Sequence, residues 1–323
     1  MFFVSVNRII ICSLLILIAS LSEGCLRPET QSKSWGQHNG KLKVLTTLSM
    51  INDLVQQIGG DRVDTMPLIR GELDPHSYEL VKGDDEKFSR ADLIFYNGLG
   101  LEHGLSLRQN LENNSKAVAV AEPILHHHPH LILRVDGQYD PHVWMDIALW
   151  MYTIEPITEA LAQKDPEHAQ EYRARAAIVL EKMREVDEKV FSTLQAIPPH
   201  KRYLVTSHDA FHYFARHYLA EKGELQWQER CQAPEGLAPE AHMSVSDVIA
   251  IVDHIEDYHI PVLFPESNVS RDSLRKIVDA GRRKGFTIRM SQETLYGDAM
   301  GDASSYLDMI IHNAEVIARE LSL

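Results

Sequence analysis

One uninterrupted helix-period run divides this chain and limits its architecture more than any other feature. Tyr172, Ala176, Val179, Met183, Val186, Val190 and Leu194 recur every three or four residues, the spacing that puts apolar side chains on one face of an α-helix. Asp165 and Pro166 suit an N-cap and a first helical position, and Pro198-Pro199 stops the run. At about 1.5 Å per residue such a helix extends roughly 45 Å, long enough to lie along two lobes and tie them together. A rigid connection of this kind permits less hinge motion than flexible crossing strands, so the lobes are expected to close only slightly on a ligand.

The segments on either side share a pattern. Short β-branched or aliphatic runs at Val44–Thr47, Leu93–Asn97, Val118–Val120, Tyr203–Thr206, Val262–Phe264 and Thr287–Met290 are each followed by a longer segment with helical spacing. Such alternation predicts an α/β fold of two lobes, each a mainly parallel sheet flanked by helices and joined by one long helix. With 323 residues, the chain exceeds what one core usually serves. The expected layout is a signal peptide over 1–24, a flexible tether over 25–41, an N-terminal lobe over 42–164, the linking helix over 165–197 and a C-terminal lobe over 198–323.

The signal is read from Arg8 followed by Ile9–Leu21, apolar except for Cys12, Ser13 and Ser20. This stretch is long enough for a secretory h-region and too short for a membrane span, which needs about 20 apolar residues. Cys25 follows Leu21-Ser22-Glu23-Gly24, which resembles a lipoprotein attachment box except at Ser22 and Glu23; a periplasmic protein with or without a lipid anchor is expected. Beyond Cys25 only Cys231 remains, which rules out a disulfide framework and a thiolate cluster in the mature chain. The net charge of −14 repels phosphate backbones, so no nucleic-acid partner is expected and cations are favoured.

Four segments carry the chemistry: Asp74-Pro75-His76, Asp140-Pro141-His142-Val143-Trp144-Met145-Asp146, Ser207-His208-Asp209, and Leu295 to Asp302 with Asp298 inside it. Each lies after a predicted strand or in a loop where open α/β sheets place ligands. Proline fixes φ ahead of His76 and His142, so both emerge from stiff turns. Two candidate ligands come from each half. Neutral imidazole and carboxylate suit Zn, Mn and Fe(II) and disfavour Cu(I) and all-oxygen Ca sites.

These segments resemble those of the zinc, manganese and iron binding proteins of ABC importers, the TroA, ZnuA and PsaA-like group, from about Lys43 to the C-terminus. The resemblance implies a monomeric solute-binding protein that carries Fe2+, Mn2+ or Zn2+ to an ABC permease with a cytoplasmic ATPase. Position by position it assigns the metal to His76, His142, His208 and Asp298. His208 stands where manganese-preferring members carry Glu.

Neighbouring residues are given quieter roles. Glu266 is expected to orient an imidazole rather than bind the ion, and His212 to be structural. Asp302 is the rival to Asp298, and the run His126, His127, His128 and His130 resembles a shortened histidine-rich loop of zinc-specific relatives. Two other functions fit the same residues: an exported zinc-dependent hydrolase and a surface adhesin. Against the first, the sequence has no His-Glu-x-x-His helix and no nucleophile elbow, and four ligands leave no position for water; nothing in the sequence requires the second.

Overall fold

The computed structural model describes residues 35, 39–239 and 243–322; the signal peptide, Cys25 and most of the tether lie outside them, and the compact unit begins at Gly40. The chain runs β1 (Leu42–Thr46), α1 (Ser49–Gly59), β2 (Val63–Pro67), α2 (Asp84–Arg90), β3 (Leu93–Tyr96), α3 (Leu105–Glu112), β4 (Ala117–Ala119), α4 (Glu122–His127), the hairpin β5 (Arg134–Val135) and β6 (Gln138–Tyr139), then α5 (Ile147–Trp150) and α6 (Ile154–Lys164). After the long α7 (Ala169–Gln195) come β7 (Leu204–Val205), α8 (His212–Phe214), β8 (Cys231–Gln232), α9 (Val245–Asp257), β9 (Val262–Leu263), α10 (Asp272–Arg283), β10 (Arg289–Met290) and α11 (Tyr306–Ser322).

The N-terminal sheet is wholly parallel, in the order β2-β1-β3-β4. In the other lobe β7 pairs with β8 and β9 with β10, both in parallel. The Phe264 N–H donates to the Val205 carbonyl at 2.8 Å and sets β9 beside β7, so the C-terminal strands follow the same pattern as the N-terminal ones. Parallel strands present their carboxyl ends on one side, where ligands bind. His76 follows β2, His208 follows β7, Glu266 follows β9 and Asp298 follows β10.

Three sequence expectations shift. β2, β8 and the β5–β6 hairpin carried no clear strand pattern: β2 ends in Pro67, tolerated because it is an edge strand, and the others are two residues each. The helix expected over 165–197 begins as one 3-10 turn at Pro166–His168 and becomes α-helical over Ala169–Gln195. Asp165 caps no backbone N–H; its carboxylate accepts from the Tyr172 hydroxyl at 2.6 Å and faces His168 Nδ1 at 2.8 Å. At 27 residues, α7 is about 40 Å long. Its buried stripe, Tyr172, Ala176, Val179, Met183, Val190 and Leu194, joins one apolar core that contains residues of both lobes. It packs against α1, α6 and α11. None of the described helices is long and apolar enough to cross a membrane.

Candidate metal centre

Both Asp-Pro-His segments close the same local turn. The Asp74 carboxylate accepts from the His76 backbone N–H at 2.8 Å, and the Asp140 carboxylate accepts from the His142 N–H at 3.0 Å. Each aspartate thus bonds the backbone two residues on while proline holds the intervening φ, which fixes where the imidazole leaves the chain. The first loop is also clamped to α3. Glu79 accepts the N–H groups of Leu105 and Ser106 at 2.7 and 2.8 Å, and His103 and Gly104 donate to the His76 carbonyl at 3.2 and 3.0 Å. A Cβ on Gly104 would lie 2.0 Å from the Tyr78 carbonyl oxygen, so only glycine permits this approach.

His76, His142, His208 and Asp298 meet in the interior, with one ligand atom of each within 4.8 Å of all the others. All four are buried, His142 and His208 completely. The Asp298 carboxylate faces His208 Nε2 at 3.1 Å, His142 Nε2 at 3.4 Å and His76 Nε2 at 3.6 Å, while the Nε2 atoms of His76 and His142 are 3.2 Å apart. Donors about 2.1 Å from a tetrahedral ion stand about 3.4 Å from one another, which is the spacing found here. Asp298 Oδ1 and His208 Nε2 are buried without an aligned hydrogen bond, a costly state for polar atoms that a cation would relieve.

The outer nitrogens are held by acids. His142 Nδ1 meets Asp140 Oδ1 at 2.8 Å. His208 Nδ1 is 2.8 Å from Glu266 Oε2, off the axis of a hydrogen bond but within ion-pair range, while Glu266 Oε1 accepts the N–H groups of Ser207 and His208 at 2.9 Å each. With Nδ1 facing a carboxylate, Nε2 is the nitrogen that turns inward and binds an ion once its proton leaves. The electrostatics agree. Burial works against charge at every member, yet Asp140 and Asp298 push His142 up to about 9. Glu266 and Asp298 hold His208 well above the usual histidine range. Burial wins at His76, which is lowered, and the three imidazoles keep Asp298 well below the carboxylate range despite its burial.

The other named residues fall outside the cluster. Glu266 faces the far nitrogen of His208 rather than the shared centre. His212 turns towards Asp140, Nδ1 to Oδ2 at 3.3 Å. Asp302 is exposed, as are His126, His127 and His130, while His128 packs its ring 4.8 Å from that of Tyr152. Two contributors were missed in the sequence. Asp140 anchors both the turn and the ring of His142, a role signalled only by its place two residues before the histidine. Gly297 accepts from Trp144 Nε1 at 3.0 Å across the lobes, and a Cβ there would sit 2.3 Å from Glu266 Oε2.

The sequence model of a family described as zinc-uptake complex component A, periplasmic, matches residues 44–320. The chain belongs to this family. Its members are periplasmic metal-binding components of ABC transporters and not enzymes. Among similar proteins, the metal-binding protein YtgA of Chlamydia pneumoniae is 42% identical over 286 residues, covering 88% of this chain and 86% of that protein. The manganese-binding lipoprotein MntA of Bacillus subtilis is 33% identical over 287 residues, covering 87% and 90%. The crystal structure of Fe(III)-bound YtgA from Chlamydia trachomatis superposes with a TM-score of 0.83 at 39% identity, covering 87% of this chain and 98% of that one. The family's two-lobed α/β architecture is the one described above.

Proposed function

We propose that this chain is an exported solute-binding protein that captures one divalent ion of Fe, Mn or Zn with His76, His142, His208 and Asp298 and delivers it to an ABC permease powered by a cytoplasmic ATPase. The observation that carries the reading is the convergence of three Nε2 atoms on the Asp298 carboxylate at 3.1 to 3.6 Å in a buried setting. Three nitrogens and one oxygen suit all three ions. Relatives support the breadth: the family is named for zinc, one relative for manganese, and a solved relative holds Fe(III). Glu266, on this reading, orients His208 and is not a ligand. The lobes span 42–164 and 198–323, and the helix between them restricts closure to a small movement. Residues 1–24 act as the export signal, and Cys25 as a lipid anchor is supported by the lipoprotein name of the manganese-binding relative.

The test is to strip the chain of metal and titrate it separately with Mn2+, Zn2+ and, under anaerobic conditions, Fe2+, with elemental analysis of the product. About one ion per chain is expected, since the donors form a single shell. A chain that retains no ion at micromolar metal, or several with equal affinity, ends the proposal.

A further inference from the structure

A cavity of about 540 Å³ reaches the candidate centre from one side. Of the four converging residues only His76 lines it. His142 and His208 have no exposed surface and lie behind. An ion using this cavity therefore meets His76 first. At its outer part stand His103, Glu122 on α4 and Asp136 at the tip of the β5–β6 hairpin. Among the described residues no lysine or arginine lines it, and the two acids give the wall a net attraction for cations.

His103 is the member with a ligand's chemistry. It is exposed, its ring centroid is 5.7 Å from that of His76, and its backbone N–H is bonded to the His76 carbonyl at 3.2 Å. The two residues are thus tied through their backbones, His103 lining the cavity and His76 standing between it and the buried cluster. A hydrated divalent ion must exchange its waters for protein donors to enter a buried site. Staged donors spread that exchange over several steps, so no single step strips the ion bare.

We propose that ions load and leave through this cavity and that His103 is a relay residue, holding the ion transiently between solvent and His76. The proposal rests on the metal-binding reading above. In the filled state the ion has passed beyond His103, so this residue changes rates and not the equilibrium.

The experiment uses the full mature chain stripped of metal and Co2+ as the probe, since a paramagnetic ion quenches indole emission. Trp144 reports it, with its ring centroid 5.3 Å from that of His142. Stopped-flow mixing with Co2+ gives the rate of capture, and mixing the loaded chain with EDTA gives the rate of release. His103→Ala is expected to slow both several-fold by a common factor, leaving the dissociation constant where it was. Gln138→Phe, at an exposed hairpin position lining the same cavity, should narrow the route without adding an indole and also slow both. Parent rates in both variants would overturn the proposal. So would a weakened equilibrium affinity in His103→Ala with faster release alone, because His103 would then be a ligand of the bound state. Failure of the unsubstituted chain to bind Co2+ would instead overturn the metal-binding reading itself.

Discussion

His142 is strung between two aspartates, Asp140 on Nδ1 and Asp298 beyond Nε2, and so is His217, with Asp146 Oδ2 3.8 Å from Nδ1 and Asp187 Oδ1 3.1 Å from Nε2. The two arrangements use the same side chains, and each joins parts of the chain far apart in sequence. They differ in what gathers around the inner acid. Asp298 is met by three imidazoles in a buried setting. Asp187 is met by one imidazole and by the Tyr218 hydroxyl, which donates at 2.6 Å, with His217 partly exposed. In the first arrangement one carboxylate faces three nitrogen donors, which is a shell for an ion. In the second the ligand atoms of Asp146, Asp187 and His217 also lie within 4.8 Å of one another, but only one of them is an imidazole nitrogen and the set is partly exposed, so a proton on the ring satisfies both acids without an ion. Residue inventory alone does not separate these cases; direction of approach does.

The largest expected effect separates the two arrangements directly. His142→Ala removes a donor from the converging set and should weaken ion binding by more than about a hundredfold, beyond the roughly 10- to 100-fold seen when only an outer partner of a ligand is lost. Asp187→Asn should leave stoichiometry and affinity unchanged within about twofold, since the bridge is not a metal site on this account. Competition titration against a chelator of known affinity measures both. Equal losses in the two variants would mean that the bridge supports the ion site, and the contrast would fail.

This difference also explains how much could be read before the structure. His76, His142, His208 and Asp298 stood out because each sits in a short segment with proline, glycine or a preceding strand, features written in local sequence. The two-lobed α/β fold followed from strand and helix alternation and from the stripe of α7. Asp187 and His217 could not be found that way. Asp187 lies on the polar face of a long helix among Glu185 and Glu188, where acids are ordinary, and His217 follows aromatic residues that read as core. Their meeting depends on how α7 packs against the segment after α8, which no local pattern encodes. The edge strand β2, the strand β8 and the β5–β6 hairpin were likewise invisible, because their pairing comes from neighbours rather than from β-propensity.

A second effect concerns protons. The shifts of His142, pushed up to about 9, and of His208, held well above the usual range, favour their charged forms at neutral pH in the metal-free chain, whereas the lowered His76 favours the neutral one. An ion that takes all three Nε2 lone pairs must therefore displace about two protons and not three. Affinity should fall by about two decades per unit as pH drops from 7.5 towards 6, and steepen only when His76 begins to titrate. Calorimetry in buffers of different ionisation heat counts the protons released per ion. A value near zero would show that the histidines are neutral before the ion arrives, and that the acids around them do not set their charge.

The smallest effect tests the bridge by its own chemistry. Burial lowers the His217 pKa, but Asp187 and Asp146 outweigh it and the adjacent Arg216, and the net shift is upward. A raised pKa in the folded chain means that the imidazolium stabilises the fold fully below the unfolded value of about 6.5, and that this contribution is lost as pH rises through the higher folded value. Asp146, raised mainly by its burial, also loses stability as pH rises through its own range, so the parent chain's pH profile alone does not isolate the histidine. Comparison with His217→Gln does. Glutamine keeps a hydrogen-bonding side chain and the packing beneath the Phe191 ring, whose centroid is 6.0 Å from that of His217, but it takes no proton. The variant should be less stable than the parent by about 1 kcal/mol near pH 6, a modest figure because His217 is partly exposed and solvent screens the pair. The gap should close above the folded pKa, where the parent's ring is neutral as well. Urea denaturation of the metal-free chain at several pH values gives this difference. A gap independent of pH would mean that His217 contributes by shape alone, and the charge bridge drawn between Asp146 and Asp187 would be wrong.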